Sequence, residues 1–220
     1  MPIVDRLVYA LLWLALLGYA LLLSPPVAPE TADQVLAMLR LDTATADPLA
    51  IAVFNLLGVL PAAFMALVLF DTGRPNPWPF ALGAYVLGGL VLLPYLALRD
   101  TQAPLAARAG TFARIIGSRT AGAVLLLMAV GLLGFGLVAG SPTAYLAQIH
   151  GSKFVAVMTA DLLALTAALH LAAATDRRRR AIRLDRPFAV AVHMPLLGPL
   201  LYLARRPQGP PPGITAQVRA

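Results

Sequence analysis

Six long apolar stretches, almost free of charge, set the terms for how this chain can fold. They run Leu7–Leu23, Pro48–Phe70, Pro79–Leu98, Thr120–Ala139, Ser152–Ala174 and Pro187–Ala204. About 20 apolar residues cross a bilayer as one helix, with a working range of roughly 17–25. The pattern therefore predicts an all-α, polytopic membrane helical bundle of about six transmembrane helices. The first and last stretches are the shortest, and Pro195, Gly198 and Pro199 mark the last as kinked or re-entrant. Arg6 and the leucines after it have the look of a leader, but "SPPVAPE" offers no small-x-small cleavage site, so an uncleaved helix is expected. With 60% hydrophobic and 12% charged residues, the chain falls well outside soluble composition. It divides into one membrane domain, 1–207, made of putative halves 1–100 and 119–207, and a Pro/Gly-rich tail, 208–220.

The net charge of +7 does not point to nucleic acid, because the basic residues flank the apolar stretches. If all six stretches cross, the loops after the first, third and fifth share one side. That side holds Arg40, Arg99, Arg108, Arg114, Arg119, Arg177 to Arg180, Arg183 and Arg186. The other holds Arg6, Arg74, Lys153, Arg205, Arg206 and Arg219. Positive-inside then makes the basic loops cytoplasmic and puts both termini opposite, unless a re-entrant last segment returns Arg205 and Arg206 to the basic side. The run "DRRRRAIRLDR" reads as an orientation signal in a solvated loop in preference to an anionic-lipid patch. Between the first two stretches, Thr31 and Gln34 have capping-box spacing, and Val35, Met38 and Leu39 follow at helical spacing. A short helix on the membrane surface is expected there. "DTGRPNPWPF" reads as a tight interfacial turn with no site in it, and "GSPTAYLAQIH" as a loop holding His150.

The two halves resemble each other. "GYALLLSPP" aligns with "GFGLVAGSP", "FNLLGVL" with "ADLLALT", and "PFALGAYVLGGLVLLPYLALR" with "PFAVAVHMPLLGPLLYLARR". Three spans per half would make this an inverted repeat, the arrangement of many secondary transporters, though duplication also produces structural proteins. The alignment sets Asp161 against Asn55. A carboxylate inside an apolar helix costs a few kcal/mol by insertion scales and needs a reason. In an inverted repeat both residues approach the midplane and are expected to meet as an intramembrane polar pair. A packed position fits, because Ala156, Ala160, Ala164, Ala168 and Ala172 form a row of small side chains beside Asp161. A register-fixing pair is preferred over a proton or cation site.

Chemistry is sparse. The absence of cysteine removes thiolate metal sites and cysteine nucleophiles. No "HExxH", "GxSxG" or Walker loop occurs, so nothing argues for an enzyme and no metal site is expected. His170 and His193 are the candidates for a pigment or haem ligand, each as a lone axial ligand, although helix-to-helix bonding is the commoner use of such histidines. Asp42, Asp47 and Asp71 are expected to be capping residues in loops.

"FNLLGVLPA", "PNPWPFALGAYVLGGLVLLPYLALRD", "SKFVAVMTADLL" and "PLLGPLLYLARRP" together resemble a multispan membrane protein family of unknown function found in cyanobacteria and plant chloroplasts. The resemblance runs from Gly18 to Pro207 and rests on Asn55, Trp78, Pro79, Tyr95, Ser152, Phe154, Asp161 and Pro199. It does not extend to the four-arginine run or the tail. It implies a photosynthetic-type membrane, plasma or thylakoid. The function expected is that of a non-catalytic accessory or assembly subunit, with the bilayer and a larger membrane complex as partners. A small secondary transporter with a midplane Asp161/Asn55 site is the alternative.

Overall fold

A computed structural model describes residues 3–27, 31–106 and 109–207. Arg108, Arg219 and the Pro/Gly-rich tail lie outside the described residues. Eleven helices follow one another, and among the described residues the only β pairing is an isolated Asp71–Leu105 bridge. Four helices are long and apolar enough to cross a membrane. These are α1 (Ile3–Gly18, continued by a π-helical turn, Tyr19–Leu23), α3 (Pro48–Val68), α7 (Arg119–Ala139) and α9 (Lys153–Arg179). Each is of spanning length, since 21 residues rise about 32 Å.

The other two apolar stretches do not match the six-span expectation. Pro79–Leu98 is split into α4 (Pro77–Leu87) and α5 (Gly89–Leu98), hinged at Gly88. Gly88 has φ +53° and ψ −132°, a conformation that glycine adopts without a Cβ penalty. The two helices fold back on each other, so that Phe80 stacks on Tyr95 with ring centroids 5.2 Å apart. Below them the chain closes with the Asp100 N–H donating to Arg74 O at 3.1 Å. At eleven and ten residues these helices rise only about 16 and 15 Å, half of a hydrocarbon core roughly 30 Å thick. The stretch enters and leaves at one end of the bundle. Pro187–Ala204 behaves likewise: α10 (Arg186–Ala191) runs in, the chain turns at 192–196, and α11 (Leu197–Arg205) runs out. Arg205 returns to lie over the Phe188 ring, 5.4 Å from its centroid.

Both termini of the described chain therefore sit at the arginine-rich end. Asp5 at the start of α1 pairs with Arg178 at 2.8 Å, and Arg206 after α11 pairs with Asp176 at 3.0 Å. This corrects the expectation that the termini lie opposite the basic loops; counting each hairpin as a crossing produced the error. The same change affects the repeat. Each half now crosses twice, so the halves run in the same direction and are not inverted. Their order still repeats as spanning helix, short helix, spanning helix, hairpin. The short helices between the long ones are α2 (Thr31–Leu39), where a short helix is expected, and α8 (Pro142–Gly151), which replaces the expected loop around His150. α1 packs on α5 as α7 packs on α11, while α3 and α9 pack on each other at the centre. The alanine row on α9 is buried, with Ala160 half-buried at its edge.

Where the helices converge, each half carries the same three residues. Asp71 accepts from the Tyr95 hydroxyl (3.1 Å) and Arg99 (3.3 Å), and Asp176 accepts from Tyr202 (2.8 Å) and Arg206 (3.0 Å). Arg179 adds a further pair to Asp71, and Arg180 one to Asp176 at 2.8 Å. Four guanidinium groups thus surround two carboxylates, and all of them are largely buried. The remaining charge is offset by the C-termini of α3, α5, α9 and α11, which each carry about −0.5 of a charge. Arg206 shows this directly: its Nη2 donates to Ala66 O (2.6 Å), in the last turn of α3, and to Gly117 O (3.1 Å). Asp71 is no loop cap, and Arg178, Arg179 and Arg180 do not belong to a freely solvated run. Asp47 does serve as the cap of α3, whereas Asp42 closes a turn between α2 and α3, where the Thr45 hydroxyl and Ala44 N–H hold its carboxyl below its ordinary range.

Candidate functional site

Asp161 lies in α9, 15 residues before Asp176, and so about 22 Å from the arginine end. It meets the tip of the first hairpin there. The start of α5 exposes N–H groups with no partner inside the helix, and no water is at hand to satisfy them in hydrocarbon. Asp161 Oδ1 accepts from the Gly89 N–H at 2.8 Å, making the carboxylate a cap supplied by a different helix. The fit leaves no room for side chains. A Cβ at Gly88 or Gly89 would run into the Asp161 carboxyl. The pair of glycines is required both by the turn and by the close approach of Asp161.

Asn55 has another task. Its Nδ2 donates to Ile51 O (2.9 Å) in its own helix and to Met38 O (3.2 Å), pinning the end of α2 to α3. Ser152, which caps α9, donates to Gln34 Oε1 at 3.1 Å and holds the other part of α2. Gln34 therefore bonds α9 through its side chain, where the sequence suggested a capping box. Asn55 and Asp161 make no hydrogen bond to each other, so the expected pair does not form. They do line one cleft of about 400 Å³, with the tip residues Ala84 to Gly88 and Leu90 on one side and Phe54, Leu57, Phe154 and Met158 on the other. Among the described residues Asp161 Oδ2 and Asn55 Oδ1 have no hydrogen-bonding partner.

His170 and His193 were expected to act singly, yet they line one small cavity of about 210 Å³ with Arg177, Pro199 and Tyr202. His170 Nδ1 contacts Thr166 O at 3.1 Å, and its buried Nε2 has no partner. The cavity is smaller than the roughly 300–1,000 Å³ of typical small-molecule sites and does not enclose a macrocycle. Among the described residues no three histidine, aspartate or glutamate side chains gather to hold a metal ion.

The remaining residues behind the resemblance have structural placements. Trp78 and Pro79 open α4, with Trp78 against Phe112 at 5.5 Å; Phe154 packs on Phe54 at 5.9 Å; Pro199 lies buried in α11. Sequence reasoning missed the Asp–Tyr–Arg triads. The signal was present: "YLALR" and "YLARR" end the two aligned segments, each following an aspartate at nearly the same distance. Comparison with known protein families, with curated proteins and with solved structures finds no match for this chain.

Proposed function

We propose that this protein is a non-catalytic integral membrane protein, an accessory or assembly subunit of a larger membrane complex. The observation that carries this reading is the employment of the intramembrane polar residues. Asp161 caps a re-entrant helix and Asn55 clamps a short helix, so both polar groups near the midplane have architectural work. Support also comes from the outer faces of α1 and α7, which are largely unburied and apolar and so available to lipid or to neighbouring subunits. With every hairpin end and both termini at the arginine-rich end, positive-inside makes that end cytoplasmic. The resemblance to the cyanobacterial and chloroplast family makes the membrane a photosynthetic one, plasma or thylakoid.

The test is isolation of the tagged protein from its native membrane in mild detergent, with mass spectrometry and visible absorption as readouts. Stoichiometric partners are expected, and bound pigment would direct attention to His170 and His193. A colourless, partner-free species carrying a flux that Asp161→Asn abolishes would replace this reading with transport.

A further inference from the structure

Because α4–α5 turns back at Gly88, the half of the bundle beyond its tip has no helix of its own from that segment. The cleft of about 400 Å³ occupies this space, a volume within the roughly 300–1,000 Å³ of small-molecule sites. Its walls are apolar: Leu16, Phe54, Leu57, Phe154 and Met158. Three polar side chains line it, Tyr85, Asn55 and Asp161, and the last two have spent their donors or taken their backbone partner. Asn55 Nδ2 is committed to Met38 O and Ile51 O, and Asp161 Oδ1 to the Gly89 N–H. What these two side chains still offer an occupant is Asp161 Oδ2 and Asn55 Oδ1, both oxygens that accept.

We propose that this cleft binds a lipid-soluble alcohol or phenol. The hydroxyl donates to Asp161 Oδ2, and the hydrocarbon lies along Phe54, Leu57 and Phe154. A lipid-soluble molecule bearing only acceptors can pair with the Tyr85 hydroxyl but leaves Asp161 Oδ2 without a donor, a cost that the alcohol avoids. An unfunctionalised alkane fills the walls but leaves the carboxyl oxygen without a donor. The depth of the cleft, at the level of the hairpin tip, puts it within reach of molecules dissolved in the bilayer.

Two features make this measurable. Trp13 Nε1 donates to Leu90 O at 3.0 Å, placing the indole beside the cleft wall. Gly58 lies exposed on the cleft, and a Cβ there meets nothing within 4 Å, so a large side chain enters the space without disturbing the backbone. In a Trp78→Phe background, Trp13 fluorescence is titrated with undecanol carrying a terminal bromine and with undecane carrying the same bromine. Saturable quenching is expected from the alcohol, with affinity at least about fivefold above the alkane, the factor that one hydrogen bond of about 1 kcal/mol supplies. Gly58→Phe is expected to abolish saturation for both probes. Asp161→Asn, whose amide oxygen still accepts from Gly89, puts an N–H donor where Oδ2 stood and is expected to let the matching bromoalkyl methyl ether, which only accepts, bind as tightly as the alcohol. Equal affinities in the unsubstituted cleft, or saturable quenching that survives Gly58→Phe, would overturn the proposal.

Discussion

The two hairpins are related by the repeat but turn by different means. The first turns on Gly88 and has its outgoing helix capped by Asp161 from α9. The second turns on Leu196, at φ +59° and ψ −54°, with the Leu197 N–H donating to Pro195 O at 2.6 Å. That is a γ-turn of the rare, strained kind, held by a leucine, and no side chain caps α11. The aligned counterpart of Asp161 is Asn55, which is turned toward α2 and does not reach the second tip. At the arginine end the halves are alike, each with an aspartate holding a tyrosine and an arginine. At the tips they differ: one side has a carboxylate, two glycines and a cleft of about 400 Å³, the other a strained corner beside the smaller cavity of about 210 Å³. The two halves share the anchor at each hairpin's base and differ at the tip, where a site can be built.

The likeness at the base is tested most severely by Asp71→Ala and Asp176→Ala. Each strands two buried guanidinium groups and should cost about 3–5 kcal/mol in thermal unfolding of the detergent-solubilised protein. A loss below about 1 kcal/mol in either would mean that the helix C-termini alone neutralise the arginines. The difference at the tips is tested by Gly88→Ala, which adds about 1–3 kcal/mol of backbone strain and also displaces Asp161. Asp161→Leu should cost about 1–3 kcal/mol by leaving the Gly89 N–H unpaired, whereas Asp161→Asn should stay within about 1 kcal/mol. Equal effects of the two would show that the cap is not what holds the tip. A comparably small change is expected from Asn55→Leu. It loses about 1 kcal/mol and loosens α2, seen as faster proteolysis near Met38 with the spanning helices intact.

Hydropathy revealed the spanning helices because 20 apolar residues in a row have few other uses. It could not separate a span from a hairpin, since both arms of Pro79–Leu98 are apolar and together match the length of one crossing. The distinction lay in Gly88–Gly89, where only the backbone angles and the arrival of Asp161 show why two glycines stand together. Pro195 and Gly198 gave the second hairpin away more openly. Asp161 and Asn55 were found because polar groups in apolar helices stand out, but their partners were not legible. Gly89 N–H and Met38 O are backbone groups, which a sequence does not mark. Asp71 reads as an ordinary helix-end aspartate that needs no partner, and Asp176 is hidden at the head of the arginine run.

Hairpins that return to the end they left also lighten the task of membrane insertion. Among the described residues the basic side chains collect at that end, and only Arg40 and Lys153 belong to the other. With the arginine-rich end cytoplasmic, as proposed above, the described residues hold two positive charges to translocate, Arg40 and Lys153, each next to a short helix. Neither hairpin needs to be pulled through.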